Sequence, residues 1–194
     1  VGVSCGGVWT TSDGGNSWSC SGKGLWANYM PTQRREDCFV QDPHRVVQCA
    51  ASPDVLWVQH HNGVFRTKDA GESWDHIPNI RPSSFGFTVA VHPQESDVAW
   101  FVPAVKDECR IPVDGRLVVA RTRDGGEHFD ILTRGLPQEH TYDIVFRHGL
   151  EVDSLGECLA MGSTTGSLWI SEDAGDSWEL VSSNLPPIYC VRFG

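Results

Sequence analysis

No apolar stretch in this 194-residue chain approaches the ~18 residues that a bilayer span requires, and the first residues lack the basic-then-apolar order of a secretory signal. No membrane span is expected. Basic residues are few, 15 Lys and Arg against 25 Asp and Glu, for a formal charge of −10. No basic stripe interleaved with aromatics offsets that balance locally, which argues against nucleic acid as a partner. There is no GxGxxG, phosphate loop, GxSxG elbow or HExxH, so nucleotide, serine-hydrolase and metalloprotease chemistry have no local motif and no cofactor is implied. The seven cysteines form no CxxC pair and no tight Cys/His cluster, which argues against a metal site. Several lie in apolar runs, such as Val46-Val47-Gln48-Cys49 and Ile188-Tyr189-Cys190-Val191, where buried free thiols are the expected state. No Asn-x-Ser/Thr acceptor occurs, and the compartment stays open. Helical 3.6-residue periodicity is absent as well.

What the chain does contain is 40% hydrophobic and 10% aromatic residues, enough for one domain over 1–194. It opens with Val1 rather than Met, directly on the strand-like run Val1-Gly2-Val3-Ser4, as a processed product or a piece of a longer protein would. One pattern recurs four times: Ser/Thr-x-Asp-x-Gly-x-Ser-aromatic. The copies are Thr11 to Trp18 (with Asp13 and Gly15), Thr67 to Trp74 (Asp69, Gly71), Thr122 to Phe129 (Asp124, Gly126) and Ser171 to Trp178 (Asp173, Gly175). The third copy carries His128 and Phe129 at its last two places. The aspartates stand 56, 55 and 49 residues apart, a period that signals a repeat architecture.

Each period supplies about four short β-branched or aromatic strands between turn residues, and four antiparallel strands per repeat make the blade of a β-propeller. The Asp-x-Gly turn has a physical basis. The carboxylate accepts backbone N–H groups a few residues on, Gly takes the φ > 0 position, and the final aromatic tucks between sheets. Asp13, Asp69, Asp124 and Asp173, with their Gly and aromatic partners, are therefore read as holding the fold rather than as catalytic.

These motifs resemble the Asp-box, or BNR (bacterial neuraminidase), repeat of sialidases, xyloglucan-degrading glycoside hydrolases, sortilin-type receptors and photosystem assembly propellers. Stretches such as Arg121-Thr122-Arg123-Asp124-Gly125-Gly126 and Asn184-Leu185-Pro186-Pro187 are similar to bacterial BNR-repeat proteins of the glycosyl hydrolase or exo-sialidase-like kind. The resemblance implies an all-β propeller whose complete chain is longer at the N-terminus. It also implies a carbohydrate, bound or cleaved, on the loop face opposite the repeat turns, with a non-catalytic scaffold for a protein or peptide as the alternative.

The blades are expected at 1–22 plus 188–194, 45–79, 85–134 and 142–184. Strand 188–193 either completes the first blade and closes a four-bladed ring, or the chain is part of a six- or seven-bladed ring; the second is favoured, because unpaired edges are then a liability only of the isolated piece. The longer, more varied loops share the face away from the repeat turns, where function concentrates. Candidates there are Asp107 and Glu108 as catalytic carboxylates, opposite Asp37 or Glu139, and Arg34, Arg35, His60, His61, Arg110, His140 and Tyr142 for binding. Cys109-Arg110-Ile111-Pro112 is similar to the Phe/Tyr-Arg-Ile-Pro element of sialidases, but Cys replaces the aromatic and the run follows two repeat turns instead of preceding all of them. His60 and His61 are adjacent on a strand, so their side chains face opposite ways and make no metal pair by themselves.

Overall fold

The computed structural model describes residues 1–194. Its strands are β1 (Gly2–Val3), β2 (Gly7–Thr10), β3 (Ser19–Ser21), β4 (Pro43–Gln48), β5 (Leu56–His60), β6 (Gly63–Thr67), β7 (Asp75–Ile77), β8 (Gly86–Val91), β9 (Ala99–Pro103), β10 (Val119–Thr122), β11 (Asp130–Leu132), β12 (Leu150–Val152), β13 (Leu159–Gly162), β14 (Leu168–Ser171) and β15 (Glu179–Ser182). They form one three-stranded sheet, β1-β2-β3, and three four-stranded ones, β4 to β7, β8 to β11 and β12 to β15. Every pairing within a sheet is antiparallel and between chain neighbours. This is the up-and-down meander of propeller blades. The innermost strands of the complete blades, β4, β8 and β12, pack in succession, β4 on β8 and β8 on β12.

The cores lie between sheets rather than inside any of them. Val8, Leu25, Phe65 and Trp74 fill the first interface, Trp57, Val89, Phe101 and Ala120 the second, and Trp100, Leu150, Met161, Trp169 and Trp178 the third. Alternation along each short strand places one set of side chains on each neighbour, so a blade has no independent core.

The repeat turns are built alike. In the second, the Thr67 hydroxyl accepts N–H bonds from Asp69 (3.2 Å) and Gly71 (3.0 Å) and donates to Asp69 Oδ1 (2.6 Å). The Asp69 carboxylate in turn accepts the Ser73 N–H (2.9 Å) and hydroxyl (2.6 Å). Gly71, at φ +92°, is where the chain needs the left-handed region. His128 explains the departure in the third copy: its N–H reaches Asp124 Oδ1 at 3.0 Å and its Nδ1 lies 2.7 Å from Oδ2, so the imidazole replaces the serine hydroxyl.

Each turn also leans on the sheet before it. Trp74 Nε1 donates to Ser21 Oγ (3.0 Å), which donates to Gly71 O, while the Trp74 N–H bonds Lys23 O (2.8 Å). The fourth turn offers Ala174 O to Trp100 Nε1 (2.8 Å) and Arg121 Nη1 (2.9 Å), and the Trp178 N–H reaches Arg134 O (2.9 Å). Gly24 lies so close to Trp74 O that a Cβ there would overlap it. Trp74 and Trp178 are 3% and 5% exposed, whereas Trp18, with no sheet before it, is 45% exposed.

Near the centre the buried Arg45 guanidinium donates to Arg147 O (2.7 Å), Leu150 O (2.6 Å) and Glu151 (3.0 Å), joining the second blade directly to the fourth. Residues 188–193 run beside that fourth blade: the Ile188 N–H bonds Ser163 O, the Val191 N–H bonds His148 O, and His148 and Cys190 form a parallel bridge. All seven cysteines are free, but the expectation of burial holds only for Cys49; Cys5 and Cys190 are exposed. Cys190 makes a single bridge, so no second strand covers its far side.

Two outcomes follow from the turns. Thr67→Val leaves the buried Gly71 N–H without its acceptor and lowers unfolding free energy by about 1–3 kcal/mol in denaturant titration, whereas Thr11→Val, in the exposed first turn, costs less. Hydrogen bonds led by the Ser17 and Ser73 hydroxyls hold Asp13 and Asp69 down to about 2, and the His128 N–H leads the same effect on Asp124. A depressed folded-state value stabilises fully above the unfolded-state value near 4 and is lost as pH falls through about 2. Thermal unfolding midpoints should therefore drop between pH 4 and 2, and less steeply in Asp69→Asn.

Candidate functional site

Away from the repeat turns, the loop face carries a pocket of about 460 Å³. Its polar wall begins where β4 begins. A register shift between Pro43 and Arg45 marks a bulge at His44, and bulges re-aim side chains. His44 is 6% exposed; its ring stacks on Phe87 at 4.6 Å and Nδ1 lies 2.6 Å from Gly86 O. A carbonyl only accepts, so Nδ1 carries the proton and Nε2 is left facing Asp42.

Asp42 is also buried. Its Oδ1 accepts the Ser4 hydroxyl (2.7 Å) and the Cys5 N–H (3.0 Å), which bring the β1–β2 loop to the pocket. Burial acts to raise this carboxyl, but its polar surroundings, with the Ser4 hydroxyl and the Cys5 N–H bonded to it, outweigh that and hold the group below the usual carboxylate range. His60 and His61 diverge as strand alternation requires. His60 is fully buried, accepts the Asp42 N–H at Nε2 (3.0 Å) and is pushed down to about 3 by burial, so it is a neutral bracket for the start of β4. His61 turns to the pocket, its N–H bonded to Asp42 O (2.9 Å) and its ring edge-on to Tyr29 at 5.1 Å.

The loop after β9 forms the opposite wall. A bridge between Lys106 and Cys109 tightens it, and Asp107, Glu108 and Arg110 all line the pocket. Asp107 pairs with Arg110 (2.6 Å) and Glu108 with Lys106 (3.6 Å). The Arg110 guanidinium also lies over the Phe87 ring, 5.4 Å from its centroid. Phe87 and Phe146, edge to face at 4.7 Å, make the apolar floor.

Of the residues singled out in the sequence, the pocket thus gathers His61, Asp107, Glu108 and Arg110. Arg34 is bound to Asp37 (2.9 Å) on the exposed link before β4, and Arg35 reaches Met30 O (3.2 Å). Glu139, His140 and Tyr142 are exposed on the link before β12, outside the pocket, and His60 is sealed beneath it. Sequence reasoning missed Asp42, His44, Tyr29, Phe87 and Phe146. Asp42-Pro43-His44, two acceptors at strand spacing just before a β-branched run, was the available signal for the first pair.

No family model and no curated protein sequence matches the chain. Solved structures do match in fold. An ancestral GH74 enzyme superposes with a TM-score of 0.67 at 14% identity, over 94% of this chain and 22% of its own. The GH74 enzyme of Niastella koreensis gives 0.57 at 14%, over 87% and 23%. YCF48 bound to D1 peptide gives 0.52 at 15%, over 74% and 42%. The chain therefore spans under half the length of these propellers, and at such identities the likeness is one of fold.

Because the Asp107–Arg110 pair is half exposed, Asp107→Asn and Arg110→Ala should each shift unfolding free energy by less than about 1 kcal/mol in denaturant titration. That separates them from Thr67→Val and leaves folded protein in which the pocket can be probed.

Proposed function

We propose that this chain is an Asp-box propeller of the glycosyl hydrolase or sialidase-like type, whose pocket opposite the repeat turns binds a carbohydrate. One observation carries the reading: carboxylates, a guanidinium and aromatic rings from separate loops converge on a single cavity of about 460 Å³. Asp107 and Glu108 accept sugar hydroxyls, Arg110 donates to a hydroxyl or a sugar carboxylate, and the half-buried Phe146 adds apolar surface for the ring carbons. The GH74 likeness supports a carbohydrate rather than another small polar ligand.

Binding has more support than cleavage. Hydrolysis needs two carboxyl groups flanking the scissile bond. Asp107 and Glu108 are neighbours on one loop, and the carboxylate on the other wall, Asp42, already accepts from Ser4 and Cys5. A peptide ligand is the second reading, favoured by the likeness to a propeller solved with a peptide. We also read the chain as an arc of a larger ring. The apolar cluster of Val1, Val3, Trp9 and Trp18 on the first sheet, where Trp74 and Trp178 are covered by a preceding sheet, supports that reading.

Calorimetric titration with a panel of neutral and acidic oligosaccharides tests the proposal. Binding is expected, and Asp107→Asn with Glu108→Gln should weaken it at least ~10-fold, the loss of about one charge-assisted hydrogen bond. Unchanged affinity in the double variant would remove these residues from the site, and binding of peptides but of no saccharide would establish the second reading.

A further inference from the structure

Asp42 Oδ2, His44 Nε2 and His61 Nδ1 face one another without a hydrogen bond between them. Asp42 Oδ2 lies 3.5 Å from His44 Nε2 and 3.5 Å from His61 Nδ1, and all three atoms fall within 4.8 Å of one another. Both separations exceed the ~2.7–2.9 Å of a charge-assisted hydrogen bond. They do approach the edge of a tetrahedral site, which is about 3.3 Å for metal–ligand bonds of about 2.0–2.1 Å. We infer that Asp42, His44 and His61 bind one divalent transition-metal ion of the zinc class, with one coordination position open to the pocket.

The surroundings are those of a metal ligand set. His44 Nδ1–H is anchored on Gly86 O (2.6 Å), which fixes the tautomer that presents Nε2. The Ser4 hydroxyl and Cys5 N–H hold Asp42 Oδ1, leaving Oδ2 free toward both rings. The backbone bond from His61 N to Asp42 O (2.9 Å) ties the two loops that supply the ligands. His44 is nine-tenths buried, and its Nε2 has no hydrogen-bond donor. Two imidazoles and one carboxylate suit zinc and its first-row neighbours rather than magnesium or calcium. Three protein ligands beside a cavity are the arrangement of an open site, which holds a water. The exposed trio Asp124, Glu127 and His128 makes a contrast: both Asp124 oxygens are already bound to His128 within the repeat turn. The inference does not depend on what the pocket takes as a ligand.

Cobalt(II) serves as the spectroscopic probe, added to protein stripped with a chelator, and zinc as the competitor. One equivalent is expected, with visible d–d absorption that zinc abolishes stoichiometrically. His61→Gln should weaken binding by more than the ~100-fold that disturbing an outer partner of a ligand can cost, while His128→Ala binds as the parent does. His61 is partly exposed, so its variant folds even where one at buried His44 does not; circular dichroism and the unfolding midpoint verify this. Absence of stoichiometric binding, or an unchanged titration in His61→Gln, overturns the site. Saccharide titration reads neither signal, so failure of the carbohydrate reading and failure of the metal site are separate results.

Discussion

A side-chain hydroxyl buried at the root of the second, third and fourth repeat turns is the constraint from which the rest of the structure follows. Thr67, Thr122 and Ser171 each satisfy two backbone donors of the turn. The turn then presents a carbonyl and an aromatic ring in fixed directions, and the only surface they fit is the neighbouring sheet. Glycine supplies the backbone angle and the preceding sheet supplies the cover. Local hydrogen bonding and long-range packing are thereby one event, which is how strands as short as three residues can belong to a stable array.

The frame explains why the pocket is well formed at the other end. Asp42 immediately precedes β4, whose first side chains are committed in opposite senses: His44 toward Phe87 and the pocket, Arg45 toward the carbonyls of Arg147 and Leu150. Removing the Arg45 clamp would free the segment that carries Arg147 and Phe146 to the pocket, so the central guanidinium holds one pocket wall through its backbone. Burying so large a cation is tolerable because two carbonyls and Glu151 surround it.

The repeat turns were legible because their chemistry is local and periodic. Asp69 finds Thr67 and Ser73 within four residues, and even the odd copy at His128 obeys the same geometry through a different donor. The loop candidates His61, Asp107, Glu108 and Arg110 were legible from topology alone, since strand counting places them on one face. Asp42 and His44 were not. Their partners are Ser4, Gly86 and His61, contributed by three different sheets, and no periodicity in the chain points from one to another. Arg34 and Arg35 lie outside the pocket. Charge drew attention to them, but the link that carries them folds on itself through Asp37 and Met30. Cys190 lay in an apolar run that resembled a strand, yet it makes one isolated bridge, because run composition carries no information about whether a partner strand exists.

The dependence of each turn on the sheet before it gives the array a polarity. The contact is heterologous: one side of every blade offers an aromatic and a carbonyl, and the other offers Ser21, Trp100 or Arg121 to receive them. Such a surface cannot mate with a copy of itself face to face by symmetry, only head to tail. Blades added in this sense therefore keep a single handedness and accumulate rotation in one direction. Two-fold docking of two copies through their Trp18 faces would leave both indoles without the acceptor that a preceding sheet supplies to Trp74.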